Sequence, residues 1–213
     1  MEKIERTNAP GWLKEKEEEW GKDWEVKYTE TKRSSDFKWR RYKKKGEDDL
    51  REALSEMTQA HCSFCDVSPM GGVLDPTIDH FKPKTLFPLD AYKWENLFLS
   101  CRVCQKRGNR FDEQLLKPDE DNYSFDNYFE INWDTGKLMP NRDACHEDQE
   151  RARMTIKLFQ LNIPGKPKDR LKELKAYRKR ENEDIDEFRY RFFLRRDSDK
   201  FLRTRWSENE KRI

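Results

Sequence analysis

Apolar positions along this chain switch between helical and extended spacing, and the switches predict most of its elements. Trp12, Trp20 and Trp24 give a sparse apolar face to the charged stretch WLKEKEEEWGKDWEVKY, and Trp20 and Trp24, four apart, meet the same partner. Such a face either packs on the core or docks another protein. Leu50, Leu54 and Met57 recur at helical spacing between Asp48 and Gln59, which predicts an amphipathic helix. The run from Asp75 to Phe81 reads as a turn and then a short β-strand, after which Pro83 and Pro88 force irregular chain. Trp94 to Ser100 is an apolar strand or helix lead-in, followed by a helical pattern from about Arg102 to Leu116. Tyr128 to Trp133 and the following Lys137 and Leu138, separated by Asp134-Thr135-Gly136, predict a hairpin. Ala152, Ile156 and Phe159 predict a helix from Asp148 to Gln160 that ends before Pro164-Gly165. A long charged helix is expected from about Lys168 to Leu194. Leu171, Leu174, Tyr177, Ile185, Phe188 and Phe192 are its inward positions, with a solvated polar stretch between Tyr177 and Ile185.

Composition narrows the class. Charged residues make up 41% of the 213 positions and apolar ones 34%, a thin supply for one core, and a bound metal would make up part of the deficit. Net charge is only +2, so a nucleic-acid surface must be local rather than global. No run approaches the length of a membrane span and no signal peptide is evident. With thiols of reduced type, this predicts a cytoplasmic protein with no membrane partner.

The cysteines are the strongest chemical signal. Cys62-x-x-Cys65 and Cys101-x-x-Cys104 hold four of the five, with 35 residues between the pairs. A two-residue spacer lets both thiolates of a tight turn reach one ion, so two such turns predict a structural zinc site. A disulfide framework is the weaker rival, because five cysteines are too few for a disulfide-dense secreted scaffold. A redox CxxC would leave the second pair unexplained. His61, beside Cys62, is an alternative ligand; Cys145 and His146 alone make no metal site.

Between the two pairs sits Asp79-His80. A histidine titrates near neutrality and suits a general base, and a carboxylate beside it is a hard oxygen ligand that suits Mg²⁺. Strand neighbours point to opposite faces, so one site using both requires a twist or a strand end. The plainer alternative is a turn-capping aspartate beside a packed histidine. Lys82, Lys84, Lys106, Arg107 and Arg110 flank these residues and are candidate contacts to a substrate phosphate. The densest basic run, FKWRRYKKK at 37–45, interleaves Trp39 and Tyr42. It reads either as a nucleic-acid contact or as a solvated helix face with its aromatics turned inward.

The order CxxC, I-D-H-F-K-P-K, W-E-N-L-F-L-S-C-x-x-C resembles the HNH endonucleases with a zinc-stapled ββα-metal core. F-K-W upstream, D-H-F-K-P-K and T-I-x-x-x-x-L-N at Thr155 to Asn162 are similar to the branch found beside retrons and in Septu-type anti-phage systems, the PtuB nucleases. The close resemblance covers about 50 residues and a looser one most of the chain. It implies a ββα-metal core stapled by the four cysteines; with the patterns above this predicts an α+β protein in which that core sits inside a mostly helical frame, with an N-terminal helical arm (1–60), the nuclease core with its zinc knuckles (61–116), and a hairpin and C-terminal helices packed on it (117–213). It implies metal-dependent hydrolysis of DNA or RNA in antiviral defence, alongside an ABC-type ATPase. In the roles it carries over, Asp79 binds the catalytic Mg²⁺ or Mn²⁺, His80 is the base, and Asn96 braces the loop bearing the base. The family's usual Asn or His after the last cysteine is here Gln105, whose amide oxygen is still a ligand candidate. Asn109, four residues on, shares its face if the helix continues through Gly108. The competing reading is a catalytically degenerate zinc module that binds nucleic acid or serves as an adaptor for the ATPase.

Overall fold

The computed structural model describes residues 1–70, 76–180 and 182–197; the expected turn residue Asp75 and the chain after 197 lie outside the described residues. The N-terminal stretch forms α1 (Gly11–Lys14) and α2 (Glu17–Thr31), with Trp20 and Trp24 buried. The Trp24 indole donates to the Lys84 carbonyl at 2.8 Å. A Cβ added to Gly21 would sit 2.5 Å from the Leu89 carbonyl oxygen, so α2 lies directly on the 82–91 loop. The tryptophan face is therefore used by the molecule's own core. Helix α3 (Glu47–Thr58) follows, its first turn closed by Asp49 accepting from the Gly46 amide at 2.8 Å, with Leu50 and Leu54 inward.

Strands β1 (Pro76–His80) and β2 (Leu97–Cys101) pair antiparallel, Asp79 opposite Phe98 and His80 opposite Leu97. Every residue of β2 is buried, as its uninterrupted apolar run requires. Helix α4 (Arg102–Gln105) leaves β2 at once. The expected continuation to Leu116 does not occur, because Gly108 adopts φ +59° and the chain leaves the helix through turns.

Helix α5 (Phe125–Tyr128) leads into the hairpin of β3 (Phe129–Asn132) and β4 (Lys137–Pro140). Its loop is held by Asn132 Oδ1, which accepts from the Thr135 amide and hydroxyl at 3.0 and 2.8 Å. Gly136, at φ +72°, lies where a Cβ would meet the Pro167 oxygen at 2.3 Å. Helix α6 (His146–Leu158) is capped by Cys145, and α7 spans Lys166–Tyr177.

The long C-terminal helix expected from Lys168 to Leu194 is instead broken. Helix α7 ends at Tyr177, and the Asp184 side chain opens a short 3-10 turn, Ile185–Glu187, before a further helical segment at 191–197. The polar stretch between has no apolar face to bury, and without packing a helix does not propagate through such residues.

The result is an α+β protein in which, among the described residues, two small antiparallel sheets are set among helices. One core runs through them, with Phe64 stacked on Phe159 at 3.9 Å and Phe125 on Phe192 at 5.2 Å. No helix among the described residues is long and apolar enough to cross a membrane.

Candidate functional site

Two centres share the β1–β2 pair. The first is the cysteine cluster. Cys62 and Cys65 lie on a turn closed by the Asp66 amide donating to the Cys62 carbonyl at 2.8 Å, with Asp66 at φ +58°. The Ser63 amide donates to the Leu99 carbonyl at 2.8 Å, which pins that turn to β2. Cys101 ends β2 and Cys104 follows one helical turn later. All four thiols are buried, and their sulfurs lie within 4.8 Å of one another. His61 stands apart, its ring nitrogens 2.6 and 2.9 Å from the Gln59 and Phe188 carbonyls.

Two long-range supports had no signal in the local sequence pattern. The Lys166 ammonium lies 3.5 Å from the Cys104 sulfur; burial works against its charge, but the surrounding thiolates hold its pKa above the ordinary lysine value. Arg191 grips Asp66, the residue after Cys65, with its side chain at 2.8 Å and its amide at 2.5 Å.

The second centre is a cleft of ≈ 270 Å³ lined by Asp79, His80, Gln105, Asn109, Lys84 and Trp39, among others. Asp79 and His80 both reach it because β1 ends at His80. Gln105 and Asn109 also meet there, although the helix that was expected to align them stops. The His80 Nε2–H donates to the Ala91 carbonyl at 2.9 Å, which leaves Nδ1 as the unprotonated nitrogen. Burial, aided by the Lys84 charge, lowers the His80 pKa to about 3, so the ring is neutral at physiological pH. Burial raises Asp79 to about 6, with Arg107 opposing the shift. Desolvation also lowers Lys84, partly offset by Asp79.

Asn96 fastens the chain that leaves His80. Its Oδ1 accepts from the Lys82 amide at 2.7 Å, and its Nδ2 donates to the Lys82 and Asp90 carbonyls at 3.0 and 2.9 Å. Both ends of the 82–90 loop thus meet one buried amide.

The flanking cations separate. Arg107, expected to face a phosphate, is 1% exposed. Its guanidinium donates to Asp79 at 3.3 Å, to the Phe81 and Arg110 carbonyls at 2.9 and 3.2 Å, and to the His80 carbonyl. Enough carbonyls converge there to satisfy a buried guanidinium, so Arg107 is a cross-brace rather than a surface cation. Lys84 lines the cleft, whereas Lys82 lines a separate cavity of ≈ 600 Å³ beside Phe87 and Phe111. Lys106 and Arg110 are exposed, and Arg110 donates to the Arg107 and Lys106 carbonyls at 2.9 and 3.0 Å.

Trp39, read in the sequence as a nucleic-acid contact or an inward-turned aromatic, lies in the cleft beside His80, a placement the sequence did not assign. It stacks on His80, and Phe37 meets the same ring edge-on. Their spacing was the available signal, since residues two apart on an extended chain share a side. A scan against protein-family models and a search of the curated proteins find no match to this chain.

Proposed function

We propose that this protein is a metal-dependent HNH-type endonuclease that hydrolyses phosphodiester bonds in nucleic acid. The observation that supports this most is the convergence of Asp79, with a neutral His80 of defined tautomer, and two amide side chains on one cleft. In this reading β1, β2 and α4 form the ββα-metal core and the four cysteines hold structural zinc. A tetrahedral site with Zn–S bonds of about 2.3 Å has S···S edges of about 3.8 Å. The 3.7 Å between the Cys65 and Cys101 sulfurs fits that size.

Asp79, Gln105 and Asn109 offer a carboxylate and two amide oxygens, a donor set suited to Mg²⁺ or Mn²⁺ completed by water. Such an ion, when bound, supplies charge neutralisation at the scissile phosphate and the leaving oxygen. His80 Nδ1 takes the proton of the attacking water, and Ala91 holds the ring in the tautomer that leaves Nδ1 free. Trp39 and Phe37 keep the ring dry and fixed. Asn96 anchors the loop behind His80, and Arg107 ties Asp79 to the backbone at His80 and Phe81. Anti-phage defence beside an ABC-type ATPase is proposed on the sequence resemblance alone.

A second reading, the degenerate zinc module or ATPase adaptor, is favoured by one observation. Arg107 engages an Asp79 oxygen that a cation would use. The deciding experiment compares wild-type and His80→Ala protein on plasmid, single-stranded DNA and tRNA with Mg²⁺, Mn²⁺ or EDTA, zinc content being measured in parallel. Cleavage that needs both metal and His80 supports the nuclease. Silence with and without the ATPase, with zinc intact, supports the module.

A further inference from the structure

We propose that the basic ribbon 38–45, ending in the tight turn Tyr42–Lys45, is a sequence-independent contact for the nucleic-acid backbone. Its direction toward the cleft rests on the nuclease reading; the contact itself does not. Between Phe37 and Gly46 the chain carries Lys38, Arg40, Arg41, Lys43, Lys44 and Lys45 and no acidic residue, whereas net charge over the whole chain is only +2.

The ribbon is not helical, and its aromatic side chains are engaged inward. Phe37 packs edge-on against Trp24 and lies 5.1 Å from Tyr92, Trp39 lies on His80, and the Tyr42 hydroxyl donates to Glu15. These contacts engage all three rings, and the exposed side chains of the ribbon are cations, so the surface recognises charge and not base identity. Arg40 pairs with Asp23 at 2.6 Å, Lys43 with Glu15 at 3.7 Å and Lys45 with Asp49 at 2.6 Å. Among the described residues Lys38, Arg41 and Lys44 have no ion-pair partner, and all three are exposed.

The turn supplies a second, independent observation. Tyr42 and Lys45 exchange backbone hydrogen bonds, both at 2.9 Å, across Lys43 at φ +48° and Lys44 at φ +70°. A two-residue hairpin loop with positive φ at both centres favours Asn-Gly, because a side chain is strained there. Two lysines hold these positions against that preference, at the tip of the turn, and both are exposed. Along the chain Lys44 is no more than about 18 Å from Trp39.

The test separates the fold from the contact, because Lys43→Asn/Lys44→Gly suits the turn better than the native pair. Binding of fluorescein-labelled duplex DNA, single-stranded DNA and tRNA is measured by anisotropy over a salt series. The 213-residue chain carries His80→Ala, no divalent metal is added, and the lysine double variant and Arg41→Gln are compared with it. The expected result is several-fold weaker binding of all three probes. The slope of log affinity against log salt should also be shallower, by about 0.9 per lost phosphate contact on duplex and about 0.7 on single strands. The double variant should keep or raise its urea midpoint. Unchanged affinity and slope in a stable double variant would overturn the proposal. So would the absence of nucleic-acid binding by the parent chain, even if the same lysines proved necessary for an acidic protein partner. Weaker binding with no cleavage under any condition would keep the ribbon and remove the nuclease. Unchanged binding with cleavage dependent on His80 would do the reverse.

Discussion

The indole of Trp39 lies face to face with the imidazole of His80, ring centroids 5.3 Å apart and planes 4° from parallel. Phe37 closes the edge of the same imidazole at 5.3 Å and 88°. A segment far upstream in sequence thus sets the environment of the proposed base. Trp39→Ala should admit water to the ring, move the His80 pKa up from about 3 toward the ordinary histidine value, and lower kcat at least tenfold. Trp39→Phe should recover most of both. NMR titration of His80 together with cleavage rates checks this, and an unmoved His80 titration in a folded Trp39→Ala protein would count against it.

The pH dependence of stability follows from two opposed shifts. His80 falls from 6.5 to about 3 on folding, so the unfolded chain binds the extra proton between those values. Its contribution is complete above about 6.5 and is lost as pH falls toward 3. Asp79 rises from 3.8 to about 6, so the folded chain holds the extra proton. Its contribution is present at low pH and is lost as pH rises through 6. Between about pH 4 and 6 the two slopes oppose each other. Asp79→Asn should expose the histidine slope alone, about 1.4 kcal/mol per pH unit over that window. Urea midpoints of both proteins from pH 4 to 7 test it; parallel profiles would contradict the assignment.

Asn96 makes three hydrogen bonds from a buried amide, to Lys82 twice and to Asp90 once. Asn96→Ala leaves those backbone groups unpaired and should cost about 2–3 kcal/mol in urea unfolding. Asn96→Asp keeps the acceptor and loses both donations, so it should not rescue stability. A loss below about 0.5 kcal/mol would show that water replaces the brace.

The Arg191–Asp66 pair joins the last described helical segment to the first cysteine turn, both side chains being almost wholly buried. Arg191→Met leaves Asp66 as an uncompensated buried charge and should cost about 3–5 kcal/mol. It should also speed metal release to a chromogenic chelator, because Asp66 follows Cys65. The double variant Asp66→Asn/Arg191→Met should recover part of the loss. Release at the wild-type rate in the single variant would uncouple the pair from the metal turn.

Serine at any of Cys62, Cys65, Cys101 or Cys104 should abolish stoichiometric zinc and unfold the β1–β2 region, as seen by metal analysis and circular dichroism. Cys145→Ser is the control. Cys145 is exposed and caps α6 by accepting from the Asp148 amide, a role serine performs well, so zinc and stability should not fall. Full stability in a zinc-free Cys65→Ser protein would show that packing alone holds the cluster.

Features decided by neighbours in the chain were legible in the sequence. The cysteine spacing anticipated a compact four-thiol group, the Asp-Thr-Gly signal marked the β3–β4 turn, and the periodicity of Leu50 and Leu54 located α3 and its inward face. The same local logic overextended two helices, one past Gln105, where the chain turns away through Gly108 at positive φ, and one past Tyr177, where the polar stretch has no apolar face to pack. By itself the sequence determined which residue types were available for metal, base and brace, and the turns and faces that short spacings dictate. Only the tertiary structure decided that Arg107 is a buried brace, that Lys166 lies against the Cys104 sulfur, and that Trp39 covers His80. The physical reason is that an arginine, lysine or tryptophan takes its role from the acceptors, charges and rings that other segments bring within a few ångströms, and periodicity along one segment carries no information about those partners.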